Sequence, residues 1–415
     1  MKMFTFSRFA LRALLGVSIS VMPGLASAGW VRQNSGTGLY LYSVHFPLNA
    51  STGYAVGASG TILMTSDGGA AWVNQPSGIG QYLLSVHFPV DAATGFAVGE
   101  AGIILKTTNG GANWFPQTSG ITDWLYSVHF PLDAQTGYAV GGTIGVNAIL
   151  KTTNGGTNWV TQTSGTAQWL SSVYFPLDAL TGYVVGAEGT ILKTTDGGAS
   201  WVSQTSDTTN WLSSVHFPLN AQTGYAVGGA GTILKTTDGG AAWVRQTMGT
   251  TRWLLAVHFP LDASTGYAVG GWPDSSIILK TTDGGASWDT QTSGATDPLY
   301  SVHFPVNALT GYAAGWHGTI LKTIDGGSGV EETAEVRSQR LEVRLTAKPN
   351  PFTSFATLPG HEAERFSLYD VSGRKVGTFR GDRVGEGLAP GVYFLCKGTA
   401  CRAPTTAPLR IVKVR

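Results

Sequence analysis

From residue 29 to residue 328 the chain alternates brief apolar runs with breaks rich in glycine, threonine and acidic or amide residues, and the alternation recurs. In one unit, residues 83–88, 95–99, 103–107 and 113–117 read as four strands, A to D, each too short to be a helix. The breaks carry turn chemistry: Pro-Val-Asp-Ala-Ala-Thr-Gly after A, Glu-Ala-Gly after B and Asn-Gly-Gly after C. An Asn or Asp ahead of two glycines supplies the positive φ angles of a tight hairpin.

The phrase Thr-Ser-Asp-Gly-Gly-Ala-Ala-Trp at residues 65–72 comes back around the chain, and its last copy stops at Gly327. Its acidic or amide position falls at Asp67, Asn109, Asn154, Asp196, Asp238, Asp283 and Asp325, in steps of 42, 45, 42, 42, 45 and 42. Four short strands in a unit of that length predict an all-β fold, a seven-bladed β-propeller, because a small twisted sheet buries its faces only against neighbouring sheets. The seventh unit lacks strand D. Gly29-Trp30-Val31-Arg32-Gln33 matches the missing strand, and Trp30 stands 42 positions before Trp72. The N-terminal strand is therefore expected to complete the last blade and close the ring, leaving no open edge.

The flanks differ from this middle. Residues 1–28 carry Lys2, Arg8 and Arg12, an apolar run over 13–22 and the small-residue end Ala26-Ser27-Ala28, the layout of a cleaved secretory signal. The run is shorter than the ~20 residues a membrane span requires, so no transmembrane span is expected. Residues 329–344 read as a polar linker, and 345–415 as short strands of a small C-terminal β-sandwich. Cys396 and Cys401, the only cysteines, are a possible disulfide in an oxidising compartment; a zinc site needs more ligands than this pair offers.

Composition agrees with an array of short strands: 415 residues with 57 glycines, 13 tryptophans and 12% charged residues. The net charge of +1 conceals a partition of +3 over 1–28, −7 over 29–328 and +5 over 329–415. The near-zero total argues against a general nucleic-acid binder, so no nucleic-acid partner is expected. No cofactor or resident metal is implied, and a monomer is expected.

The Asp-box phrase resembles that of bacterial neuraminidase (BNR) repeats. The longer unit, with Gly-Tyr-Ala-Val-Gly, Gly-Thr-Ile-Leu-Lys-Thr and Asp-Gly-Gly-x-x-Trp, resembles seven-bladed propellers related to photosystem II stability and assembly factors. Pro349-Asn350-Pro351-Phe352, residues 368–376 and 388–394, and the closing Ile411-Val412-Lys413-Val414-Arg415 resemble the type A sorting domain of type IX secretion. That resemblance implies export across an outer membrane by the type IX machinery, and a secreted or surface-attached protein.

Four groups of residues invite a functional reading. The seven Asp-box positions interchange Asp and Asn, as a turn-stabilising side chain permits and a charged metal ligand does not. His45, His87, His129, His216, His258 and His303 recur in strand A with Tyr174 in the seventh slot; belonging to different blades, they are expected to lie apart and to serve packing and hydrogen bonding. The tryptophans at 30, 72, 114, 159, 201, 243 and 288 are expected in the core between blades. The A–B and C–D turns are nearly identical around the ring, whereas the opposite face varies. Its D–A loops place Tyr40, Tyr82, Trp124, Trp169, Trp211, Trp253 and Pro298 at one position, with Arg252 beside Trp253. Its B–C loops add Trp272, Trp316, Glu100, Glu188 and His317. One face repeats a scaffold and the other diversifies it, which predicts a ligand-binding aromatic crown, or loop anchors in the same place.

Taken together these features read as a secreted, non-enzymatic binding or assembly module that engages a surface protein or polysaccharide by protein or carbohydrate binding. The alternative is a secreted glycoside hydrolase of the Asp-box propeller type, drawing on Glu100, Glu188, Asp123 or Asp297.

Overall fold

The computed structural model describes residues 29–328 except 248, 273 and 274, and in the C-terminal region residues 365–370, 375–380, 383–384, 391–397 and 409–413. Blade 1 contains Leu41–His45, Gly53–Gly57, Ile62–Thr65 and Val73–Gln75, paired antiparallel in that order. Five further blades repeat it. The seventh combines Leu299–His303, Gly311–Gly315 and Ile320–Thr323 with Val31–Gln33 from the start of the propeller. Val31 lies opposite Lys322 and Gln33 opposite Ile320, the register Val73 and Gln75 keep with Met64 and Ile62 in blade 1. The chain thus forms an all-β, seven-bladed ring closed by its N-terminal strand. Strand A of each blade packs beside strand A of the next, and blade 7 beside blade 1.

Strands are shorter than the sequence pattern suggests: Leu83–His87, Ile104–Thr107 and Phe115–Gln117 in the second blade. Phe88 and Trp114 lie just outside the ladder, with their rings in the core, 1% and 6% exposed. The two longer repeats lengthen a hairpin. In the third blade Gly137–Thr143 pairs with Val146–Thr152 out to Thr143 opposite Val146.

The core lies between blades. One cluster joins Leu41, Phe46, Leu63 and Trp72 of blade 1 to Tyr312, Ala314 and Ile320 of blade 7, and six more follow around the ring. In each, the strand A phenylalanine stacks on a strand B ring of the preceding blade, Phe46 on Tyr312 at 3.8 Å, and meets its own strand D tryptophan edge-on, Trp72 at 6.0 Å. A Cβ on Gly53 would stand 2.4 Å from the Phe46 ring, which is why strand B opens on glycine. Trp30 fills the blade 7 place, 3% exposed, packed on Phe304 and Tyr267.

Hydrogen bonds between blades add a second closure at the centre. The serine just before the strand A valine accepts a backbone N–H from the next blade: Ser301 from Val44, Ser43 from Val86, Ser85 from Val128, Ser127 from Val173, Ser172 from Val215 and Ser214 from Val257, at 3.1–3.4 Å. The histidines act likewise. Nδ1 of His303, His45, His87 and His216 accepts the N–H of Phe46, Phe88, Phe130 and Phe259. The expectation that the histidines lie apart is corrected here. With Tyr174 they form a closed belt of rings whose neighbouring centroids are 4.7–4.9 Å apart, because strand A is the innermost strand and seven blades converge on a narrow bore. Among the described residues no group of three or more His, Cys, Asp or Glu is arranged to hold a metal ion. At the boundary of blades 6 and 7 both stitches are missing: Ala256 stands where other blades have serine, and His258 Nδ1 is buried without a partner.

Burial holds the imidazoles neutral. His129 and His303 fall to about 4 and His216 to about 3. His45, His87 and His258 are also lowered, by burial first and by the neighbouring imidazoles second.

In the C-terminal region the described residues form one four-stranded antiparallel sheet of Arg365–Asp370, Lys375–Arg380, Gly391–Lys397 and Leu409–Lys413, with Lys375–Arg380 at one edge and Leu409–Lys413 at the other. The expected second layer of a sandwich, the signal segment 1–28, the linker 329–344 and Cys401 lie outside the described residues, as does the Cys396 side chain. No helix among the described residues is long and apolar enough to cross a membrane.

Two measurements test this account. Trp30→Ala is expected to cost about 3–5 kcal/mol in chemical denaturation, and deletion of residues 29–35 to lower the melting temperature further; an unchanged melt would show that the ring is held without its closing strand. The belt sets an acid limit. The unfolded chain binds protons near pH 6.5, while the folded imidazoles resist them down to about pH 4 or 3. Stability is therefore full above pH 6.5 and lost as pH falls through that interval. A melting temperature that stays flat between pH 7 and pH 4 would mean that the folded belt takes up protons as readily as the unfolded chain.

Candidate functional site

The two faces of the ring use their polar groups differently. On the face of the A–B and C–D turns, each Asp-box side chain works within its own turn. Asp67 Oδ1 accepts from the Thr65 hydroxyl at 2.9 Å and from the Ala71 N–H at 3.0 Å, while Thr65 Oγ1 accepts the Gly69 N–H. Gly68 and Gly69 take φ of 74° and 89°, which a side chain would strain. Asn109 and Asn154 make the same contacts through Oδ1, and so do Asp196, Asp238 and Asp283. Asp325 keeps the threonine contact and accepts the Gly327 N–H. The hydroxyls of Ser200 and Ser287, then the backbone N–H groups, hold the Asp196 and Asp283 carboxyls down at about 2.

The lysines of the repeated Leu-Lys-Thr phrase are spent on the same face. Nζ of Lys106, Lys151, Lys193, Lys235, Lys280 and Lys322 donates to a glycine carbonyl of the next Asp-box turn at 2.7–2.9 Å. The strand B tyrosine hydroxyl usually joins it: Tyr138 and Lys151 both reach the Gly197 carbonyl. Six of the propeller's nine basic residues thus lock blade to blade, which the sequence reading did not anticipate.

The opposite face gathers aromatic rings. The backbone is pinned first: the carbonyls of Tyr40, Tyr82, Trp124, Trp169, Trp211 and Pro298 each accept an N–H from the B–C loop, such as Ala58 N to Tyr40 O at 2.8 Å. The side chains form two arcs. In blades 7, 1, 2 and 3, Tyr40 stacks on Trp316 with centroids 4.9 Å apart and planes 9° from parallel. Tyr42 meets Tyr300 at 5.0 Å and Tyr82 at 6.1 Å, and Tyr82 meets Trp124 at 6.1 Å. In blades 4 to 6, Trp169, Trp211 and Trp253 pack edge to face at 6.4 and 5.4 Å. Tyr82 is 38% exposed and the other rings of the arcs are half-buried. Arg252 is exposed beside Trp253, its guanidinium donating to the Ser276 carbonyl at 3.4 Å. The side chain of Trp272 lies outside the described residues.

Sequence reasoning missed Tyr42, Tyr126 and Tyr300, which stand under the loop residues on strand A. The signal was present in the strand A phrase Leu-x-Ser-Val-His, where x is Tyr, Leu, Tyr, Ser, Ser, Leu and Tyr around the ring while its neighbours barely change. Tyr126 packs on Trp124 at 6.2 Å, and the Tyr300 hydroxyl accepts the Trp316 indole N–H at 2.6 Å. Burial raises the hydroxyls of Tyr42, Tyr126 and Tyr300 above the usual phenol range, so all three rings are neutral at physiological pH.

The carboxylates of this face have local partners. Glu100 Oε2 accepts the Tyr82 N–H at 3.2 Å, Asp123 accepts the Thr143 hydroxyl at 3.1 Å, and Asp297 lies 3.2 Å from His317 Nδ1. Glu188 is exposed at the tip of its loop.

Known proteins give the following comparison. The family model described as photosynthesis system II assembly factor YCF48 matches residues 22–167 and 158–252, more than half of the chain. A solved YCF48 from Cyanidioschyzon merolae is 21% identical, with a TM-score of 0.58 over 71% of this chain and 99% of that one. A YCF48 bound to D1 peptide is 19% identical, with a TM-score of 0.57 over 71% and 97%. A GH74 enzyme from Niastella koreensis is 16% identical, with a TM-score of 0.59 over 89% of this chain and 71% of that one. No curated protein matched the chain.

Because Asn109 and Asn154 make the Asp-box contacts unaided by charge, Asp238→Asn is expected to leave the melting temperature nearly unchanged and Asp238→Ala to lower it. Equal losses from both would point to a role for the negative charge that the turn geometry does not explain.

Proposed function

Since the chain belongs to the photosynthesis system II assembly factor YCF48 family, we propose that it is a secreted, non-enzymatic binding or assembly module whose aromatic crown engages a surface protein or polysaccharide. The observation that carries this reading is the division of labour between the faces. One spends its Asp side chains within its own turns and its Lys and Tyr side chains on joining blades; the other assembles Tyr40, Tyr42, Tyr82, Trp124, Tyr300 and Trp316 in one arc and Trp169, Trp211 and Trp253 in another, partly open to solvent. Rings in that setting offer large contact area at little cost in side-chain entropy. The YCF48 solved with a D1 peptide supports a polypeptide ligand. Export rests on the basic-apolar-small pattern of residues 1–28 and on the likeness of 345–415 to a type IX sorting domain, which would hand the chain to that secretion machinery and leave it outside the cell.

A second reading as a glycoside hydrolase is favoured by the GH74 neighbour and by the carboxylates of the crown face. It requires one carboxyl to act as an acid and another as base or nucleophile across a bound sugar. Turnover of chromogenic glycosides would establish it.

A glycan and surface-protein binding screen tests the leading reading. For a ligand found in that screen, Trp211→Ala with Trp253→Ala is expected to weaken binding at least roughly tenfold, the loss of more than 1 kcal/mol usual for an anchoring aromatic, without lowering the melting temperature as Trp30→Ala does. Unchanged affinity would remove the tryptophan arc from the binding surface.

A further inference from the structure

The tyrosine-rich arc differs chemically from the tryptophan arc, and its composition points to the charge of what it holds. In a tandem repeat, departures from the common phrase mark where a blade does something of its own. The first residue of the B–C loop is Ala58, Gly142, Ala187, Gly229 or Gly271 in five blades, but Glu100 and Trp316 in the two that flank blade 1. Blade 1 itself carries tyrosine both in its D–A loop, at Tyr40, and on strand A, at Tyr42. These departures converge. Tyr42 has Tyr300 at 5.0 Å, Tyr82 at 6.1 Å and Tyr40 at 6.5 Å, and Tyr40 stacks on Trp316. Glu100 is joined to the cluster through its bond to the Tyr82 N–H and adds its negative charge to the surroundings of the Tyr42 hydroxyl.

Clustered aromatic rings carry negative potential on their faces from their quadrupoles, and a carboxylate at the rim adds a full charge. The loops of this face carry Glu100, Asp123, Glu188, Asp207 and Asp297 against three arginines among the described residues of the ring: Arg252 in a loop, Arg32 of strand D donating to the His317 carbonyl, and Arg245 of strand D beside residues 205–210; the lysines are committed to the other face. An anionic ligand would meet a net negative face, whereas a cationic one would meet the Glu100 carboxylate beside the rings. We propose that Tyr40, Tyr42, Tyr82, Tyr300 and Trp316 with Glu100 form a cation site that takes the side chain of a lysine or arginine on a bound polypeptide. The proposal rests on the reading of the crown as a binding surface and narrows it: the ligand is a basic peptide segment, anchored at blade 1.

The repeat supplies substitutions the fold already accepts. Tyr42→Leu copies Leu84 and Leu255, and Glu100→Ala copies Ala58 and Ala187. The full chain is titrated, by fluorescence anisotropy, with labelled octapeptides alternating glycine with lysine, serine or glutamate, and in parallel with a soluble neutral β-glucan. The proposal expects the lysine peptide to bind and the serine and glutamate peptides not to. It expects each variant to weaken lysine-peptide binding by roughly threefold to thirtyfold, and added salt to weaken it further. Equal binding of lysine and serine peptides, or unchanged lysine-peptide affinity in both variants, overturns it. Glucan binding that is lost with Trp211→Ala and Trp253→Ala, without any lysine-peptide binding, also overturns it while leaving the crown as the binding face. Binding of no probe counts against both.

Discussion

Everything in this ring depends on the fact that no blade can bury itself. A four-stranded twisted sheet of two- to seven-residue strands has two apolar faces and too little width to fold one over the other. Leu41, Phe46, Leu63 and Trp72 acquire a core only because Tyr312, Ala314 and Ile320 arrive from the neighbouring blade. Each blade is therefore a half-interface on both sides, and the array is stable as a ring or needs caps. The serine and histidine bonds at the bore and the tyrosine and lysine grips at the turns then fix how neighbours are seated. The former cost the bore its ability to accept protons, since an imidazole that accepts a backbone N–H through Nδ1 must stay neutral there.

The same constraint explains where novelty is permitted. Residues that join blades must match a partner in the next unit, so a change there disturbs two blades at once. The D–A and B–C loops are joined in every blade but one by the same backbone bond, which any side chain satisfies, and the side-chain bonds between them stay within a blade or at its loop. Variation therefore collects on that face without disturbing the cores, and the two aromatic arcs are what has collected. Membership of the YCF48 family describes the ring, while the arcs differ in kind from one side of the bore to the other: tyrosine with carboxylates near blade 1, tryptophan over serine near blades 4 and 5.

Much of this was legible before any coordinates. The period of the Asp-box phrase, and the match of Gly29-Trp30-Val31-Arg32-Gln33 to the strand missing after Gly327, specified the blade count and the closure, because both are statements about sequence spacing. The Asn and Asp interchange foretold the turn bonds of Asn109 and Asp67. Spacing along the chain says nothing of radius, however. The histidines, 42 or more positions apart in sequence, meet ring to ring only because strand A is innermost. For the same reason the equivalent loop residues looked like one even crown, whereas the structure sorts them into two arcs and brings up Tyr42, Tyr126 and Tyr300 from the strand below. The lysines were hidden for a different reason: their partners are backbone carbonyls, which leave no mark on the sequence.

The closing strand also orders events in time. Val31 pairs with Lys322, 291 positions later, so the first strand of the propeller to leave the ribosome is the last to find its place. Blades 1 to 6 have their strands in sequence and form by local pairing, whereas the final blade waits on the longest loop closure in the ring. Until then Trp30 is exposed and blade 7 has an open edge. A chain built this way stays incompletely folded while it is being made and becomes resistant all at once when its two ends meet.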